Sequence, residues 1–338
     1  MLAFPSMSNG TGGALLISPF LYSSRVEPGW PYAGGSADSG NGYFTSGSFT
    51  MEGTFRFVPG TFTQNSQSLM RLQTTGSSTT ARPGLALNVV AVSSSNTVTL
   101  FARPDISGSR ATLTVPVTGV DIFDGSQWYV SVGRQRSDDG LESLVSSSYF
   151  IRIAKQNYGE IVQSYNTSSM YADDIEDKSV WTLTSSLVNA SGAYVAIGSQ
   201  SLPTGTGIPL LNDTVSAPEA ARVTPFEGRI TQFRFWSKYL TEEEWPEHVR
   251  YFRSVGVEDP LTNFNFATTP TGSFQRLRLD ASTDQVVTES NSSGEIFLTD
   301  FTQNGFTLSG SGFPQTSSVI VPERFFFSYL SPKFDESA

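Results

Sequence analysis

Cysteine is absent from this sequence, and histidine occurs only once, at His248. Without cysteine there are no disulfides, thiolate metal sites or cysteine nucleophiles. Any Ser-His-Asp arrangement or zinc site of the usual kind would depend on His248 alone. Charge is sparse as well. Charged residues make up 15% of the chain and the net charge is −10, with no Lys/Arg run of the kind that neutralises nucleic-acid phosphates, so a nucleic-acid partner is not expected. An acidic surface favours solubility and repels anionic partners. Long apolar runs are missing too. The N-terminal run Leu15, Leu16, Ile17 has no basic residue before it and is interrupted by Pro19, so neither a signal peptide nor a membrane span is expected, and the run predicts a short strand.

What the chain does contain is turn chemistry and aromatic residues. Its 338 residues include 30 Gly, 18 Pro and 25 Phe, a composition that fits an all-β protein with many turns and a phenylalanine-rich core. In 49–57 the residues Phe49, Met51, Gly53, Phe55 and Phe57 alternate with Thr50, Glu52, Thr54 and Arg56, which predicts a strand with one buried and one solvated face. Strands are also expected at 68–73, 85–92, 98–102, 111–117, 148–154 and 194–198. Gln156-Asn157-Tyr158-Gly159 reads as a hairpin turn into 160–165. A long loop is expected at 199–224, rich in Gly, Pro and small residues.

The most legible stretch is 226–253. Ile230, Phe233, Phe235 and Trp236 form a β-rich run whose alternation shifts near Gln232 and Phe233, as in a bulged strand. Thr241 followed by Glu244 is a capping box, and Trp245, Val249 and Phe252 recur at helical spacing, predicting a helix over 241–253. His248 reads as a surface histidine near the end of that helix.

The segment Gly228-Arg229-Ile230 through Phe233-Arg234-Phe235-Trp236, a short turn to Leu240 and then Thr241-Glu242-Glu243-Glu244 resembles the closing segment of concanavalin A-like sandwiches, in particular the laminin-G and pentraxin-like branch. The opening Ser48-Phe49-Thr50 to Glu52, and the strand beginning at Trp128, resemble the same family. The resemblance implies an antiparallel jelly-roll β-sandwich over residues 38–255 with one short helix. Residues 1–37 are then an N-terminal arm, and 256–338 a β-rich C-terminal extension or the start of a second unit. A secreted animal member would often carry a disulfide, so the absence of cysteine points to a bacterial or viral source.

Catalysis finds little support. Some sandwiches of this class cleave β-glucans with Glu-x-Asp-x-x-Glu on one strand, which places two carboxylates on one face. That pattern does not occur here, and the chain is expected not to be an enzyme. Asp173, Asp174, Glu176 and Asp177 crowd hard oxygen ligands into one acidic loop, which is either a calcium site or a solvated loop. No other cofactor is indicated. Trp30 and Tyr32, in a polar stretch, are either a sugar-stacking platform or an anchor for the arm. The apolar ending around 325–330 predicts that the termini meet other protein subunits. The function expected is that of a structural or adhesion component on a virion or extracellular surface, such as a phage tail or fibre. The alternatives are a carbohydrate-binding module recognising surface glycans and, less favoured, a divergent glycoside hydrolase.

Overall fold

The computed structural model describes residues 2–4, 15–18, 49–59, 66–75, 86–103, 111–136, 147–171, 192–198, 223–236, 238–251, 254, 277–283, 294–302 and 307–313. They form an all-β sandwich with one short helix. The first sheet contains β1 (Leu2–Phe4), β3 (Phe49–Phe57), β8 (Gln127–Arg136), β9 (Ser147–Asn157), β10 (Glu160–Tyr171), β13 (Gly228–Trp236) and β14 (Leu277–Ser282), in the order β1-β13-β3-β8-β9-β10 with β14 also on β13. The second contains β2 (Leu15–Ser18), β4 (Ser66–Thr75), β5 (Ala86–Val92), β6 (Thr97–Arg103), β7 (Ala111–Pro116), β11 (Gly192–Ile197), β12 (Val223–Thr224), β15 (Ile296–Thr299) and β16 (Thr307–Ser311). Its order is β15-β16-β2-β11-β4-β5-β6-β7, with β12 beside β4. Every pairing is antiparallel except β12 with β4.

Period-two alternation makes this arrangement possible. Met51, Val132, Ile151 and Phe235 point inward from the first sheet, and Leu72, Leu87, Leu100 and Leu113 from the second, into one continuous buried cluster. Phe4, Phe55 and Phe57 each pack edge-on against Phe226 at ring separations of 5.3–5.6 Å, a geometry worth about 0.5–1.5 kcal/mol per pair beyond area burial. Trp128 and Trp236 are both fully buried. Gly133 on β8 leaves no room for a side chain. A Cβ there would stand 2.1 Å from the Phe49 carbonyl oxygen.

Several expectations hold in detail. The shift in β13 is a bulge, with register broken between Ile230 and Gln232 against β3. The β9–β10 hairpin closes at Tyr158 (φ 51°) and Gly159 (φ 78°), with Asn157 opposite Glu160. Two positive φ values at the centre of a two-residue loop make a type I′ turn, the hand that matches strand twist. β10 continues past 165 to Tyr171.

The structure adds what local pattern did not contain. β1 and β2, from the arm, and β14, β15 and β16, from the C-terminal segment, are hydrogen-bonded into the two sheets. β2 is interior, between β16 and β11. β3 is not half solvated as expected. Thr50, Glu52 and Thr54 are buried, because β3 is central and its second face is covered by the segment 238–251.

Candidate functional site

Cross-strand neighbours share a face, so register alone builds a polar row across the outside of the first sheet. Asp280 on β14 pairs Arg234 on β13, Arg234 pairs Glu52 on β3, Glu52 pairs Ser131 on β8, Ser131 pairs Arg152 on β9, and Arg152 pairs Asn166 on β10. Charges of alternating sign therefore meet at one level of the sheet, four of them on adjacent or near-adjacent strands.

Helix α1 (Glu244–Arg250) and the turn before it close over this row. The helix begins later than expected, but its cap is formed. The Thr241 hydroxyl accepts from the Glu244 amide at 3.1 Å, the Glu244 carboxylate accepts from the Thr241 amide at 2.9 Å, and the Trp245 amide reaches the Thr241 carbonyl at 3.2 Å. Thr241→Ala should cost about 1 kcal/mol in urea denaturation, and Thr241→Ser should restore most of it. Trp245 and Val249 pack on Tyr129 and Ala154 of the sheet.

His248 is not on the surface. It is 3% exposed, stacks on Trp236 at 5.4 Å between ring centroids, and places Nδ1 3.0 Å from both oxygens of Glu52. Trp236 Nε1 donates to Glu52 Oε1 at 2.9 Å, and Arg234 Nη1 lies 3.7 Å from the same oxygen. Arg234 also approaches Asp280 at 3.4 Å and donates to the Ser254 carbonyl at 2.6 Å. Burial alone would raise the Glu52 carboxyl. The charge interaction and hydrogen bond with His248, the charge of Arg234 and the hydrogen bond from Trp236 together outweigh that, and hold Glu52 at about 2 against an ordinary 4.5. Glu52 is therefore a carboxylate at neutral pH, and His248 Nδ1 donates to it.

Two more anchors fasten the cover. Thr50 Oγ1 donates to the Lys238 carbonyl at 2.9 Å and accepts from the Leu240 amide at 3.0 Å. Arg152 donates to the carbonyls of Leu240 (2.7 Å) and Thr241 (3.2 Å) and to the Tyr239 hydroxyl, while its guanidinium sits over the Phe150 ring. The row thus presents its charge inward to a lid made by its own chain. A carboxylate kept ionised, with both oxygens engaged, is not a proton donor at neutral pH.

The second sheet carries a smaller polar cluster on its outer face. Arg71 pairs Asn88 across β4 and β5, and Ser68 pairs Val90 one step along, all four buried. Asn88 Oδ1 and Ser68 Oγ have no hydrogen-bond partner. Exposed aromatic rings among the described residues are Tyr158, Tyr251, Phe297 and Phe301.

Trp30, Tyr32, Asp173, Asp174, Glu176 and Asp177 lie outside the described residues, as does the apolar segment 325–330. Among the described residues no group of three or more His, Asp or Glu side chains is placed to hold a metal, and no helix is long and apolar enough to cross a membrane. Sequence reasoning missed the Glu52–His248 pair, although a signal existed. Residues 245, 248 and 249 fall on one helical stripe, and His248 stands within it.

No family model matches the sequence, and no curated protein matches it. Solved structures similar to it include the enzymatically active domain of tailspike protein 2 from bacteriophage CBA120, at 12% identity and a TM-score of 0.39, with 77% of this chain and 30% of that one covered. A Bacteroides ovatus protein described as carbohydrate-binding aligns at 13% identity and a TM-score of 0.41 over 92% of this chain and 57% of its own. The CBM40 of the Ruminococcus gnavus IT-sialidase aligns at 14% identity and a TM-score of 0.33, over 59% and 82%. The chain thus spans less than two thirds of the length of the first two.

Proposed function

We propose that this chain is a non-catalytic β-sandwich of structural or adhesion type, of the concanavalin A-like class and its laminin-G and pentraxin-like branch, carried on a virion or extracellular surface. The observation that supports the non-catalytic reading is the closure of the charged row. A glycosidase needs two carboxyl groups about 5–9.5 Å apart flanking an open sugar site. Here the two carboxylates that share a face, Glu52 and Asp280, are separated by Arg234, and Glu52 is sealed beneath His248. Incubation with β-glucans and other polysaccharides should release no reducing sugar. Turnover that disappears in Glu52→Gln would overturn the reading. The virion placement has its own test: cross-linking mass spectrometry on purified particles should join this chain to other structural subunits.

A second reading, glycan binding, is favoured by the exposed aromatic rings of Tyr158, Tyr251, Phe297 and Phe301, which suit stacking on sugar faces. On a glycan array run with and without calcium, this reading expects specific binding that is lost when these rings are replaced by Ala. Binding unchanged in those variants and lost when Trp30 and Tyr32, or Asp173, Asp174 and Asp177, are replaced would move the site to those residues.

A further inference from the structure

The ends of the two sheets are treated unequally. On the first sheet, β14 has its outward backbone engaged by a turn that imitates a neighbouring strand. The Asp280 amide donates to Asp300 Oδ1 at 2.8 Å, the Phe301 amide donates to the Asp280 carbonyl at 2.9 Å, and Thr302 braces Asp300 through its amide and hydroxyl. On the second sheet, β7 is six residues long and ends in Pro116, while β15 has four residues. Short strands and proline are ways of blunting an edge.

β10 has little of this protection. It is 12 residues long, and among the described strands it pairs only with β9. One bulge, at Val162, interrupts it near its start. From Gln163 to Tyr171 the register is unbroken and the sequence QSYNTSSMY contains no charged residue and no proline. Ser164, Asn166 and Ser168 are exposed on the face continuous with Arg152 and Ala154.

We propose that β10 is the pairing edge for a second copy of this chain, joined antiparallel about a two-fold axis near Asn166. The sequence is self-complementary in that register. Ser164 faces Ser168 of the second copy, Gln163 faces Ser169, and Tyr165, whose hydroxyl already donates to the Thr118 carbonyl, faces Thr167, so polar uncharged residues meet and no like charges do. Glu160 is the only charged residue of the strand. The two copies of Glu160 would stand about 40 Å apart at about 3.3 Å per residue, well beyond the Debye length at physiological salt, about 8 Å. A two-fold contact is isologous and closes, so it yields a dimer and not a fibre. The proposal is independent of whether the chain binds glycans or is catalytic.

The test is sedimentation equilibrium of the full chain from about 1 to 100 μM, a span suited to the weak end of specific interfaces. A concentration-dependent dimer is expected. Ser164→Lys with Ser168→Lys sets lysine opposite lysine across the axis, and should weaken the dimer at least tenfold. Ser164→Glu with Ser168→Lys sets glutamate opposite lysine, and should restore it. Both substitutions are at exposed positions, and circular dichroism checks that each variant is folded. A full chain that stays monomeric at 100 μM overturns the proposal, and so does a dimer that responds identically to the two double variants.

Discussion

Glu52→Ala should destabilise the protein by about 3–5 kcal/mol, the range found when one member of a buried ion pair is removed and its partner left uncompensated. The loss would extend beyond one contact. His248 Nδ1, Trp236 Nε1 and Arg234 all direct positive charge or a donor at this carboxylate, and α1 is held over the sheet partly through it. Urea denaturation of the single variants and of Glu52→Ala with His248→Ala makes a double-mutant cycle. Because each single change strands the other group, the double variant should lose about 1–3 kcal/mol less than the sum of the two. A loss below about 1 kcal/mol in Glu52→Ala would place the pair in the surface class of ion pairs, contrary to the burial of both side chains.

The same pair fixes a direction with pH. Glu52 sits at about 2 in the fold against an ordinary 4.5, so the folded state holds the proton less tightly than the unfolded chain. The stability this supplies is fully present above about 4.5 and is lost as pH falls toward 2. A displacement of that size corresponds to about 3 kcal/mol in total. Unfolding free energies measured between pH 5 and pH 2 should therefore fall more steeply for the parent than for Glu52→Gln, which has no proton to gain. Equal slopes would remove Glu52 as the source.

Local signals in the sequence carried the parts of the fold that local chemistry determines. The bulge in β13 was legible because the alternation around Gln232 breaks, the cap because Thr241 and Glu244 stand at capping-box spacing, and the β9–β10 turn because the turn residues Asn157 and Gly159 stand between two strand-like runs. What escaped depends on pairing between distant segments. Glu52 and His248 are separated by nearly two hundred positions, and nothing near Glu52 marks the outer face of β3 as covered. An alternating Phe/polar strand reads as half solvated unless the cover is known. The surface reading of His248 has the same origin: its neighbours Glu247 and Arg250 are polar, while the stripe it shares with Trp245 and Val249 faces the sheet. Likewise, Leu2–Phe4 and Leu15–Ser18 are too short to announce which strand they join.

Removing residues 1–18 should abolish the cooperative unfolding transition altogether. β2 is the strand that connects β16 to β11, so its loss detaches the β15–β16 hairpin and leaves the edge of β11 bare, while loss of β1 uncovers part of β13. Leu2, Phe4, Ile296, Leu298, Leu308 and Phe313 are all buried in the main core cluster. At about 1.5–3 kcal/mol for each fully buried apolar side chain, their combined exposure is on the order of 10 kcal/mol, comparable to the whole stability of a typical domain, about 5–15 kcal/mol. Truncation after residue 255 removes β14, β15 and β16 and should have the same outcome, for the same reason. Differential scanning calorimetry and near-ultraviolet circular dichroism distinguish the alternatives. If a chain of residues 38–255 melts in a single transition at the temperature of the full protein, the described strands at the two ends contribute nothing to the sandwich. If both truncated chains lose the transition while the full chain keeps it, the two ends are joined through β2 and β16 into the core they flank in sequence. Assembly with other subunits would then have to use surfaces of a completed fold.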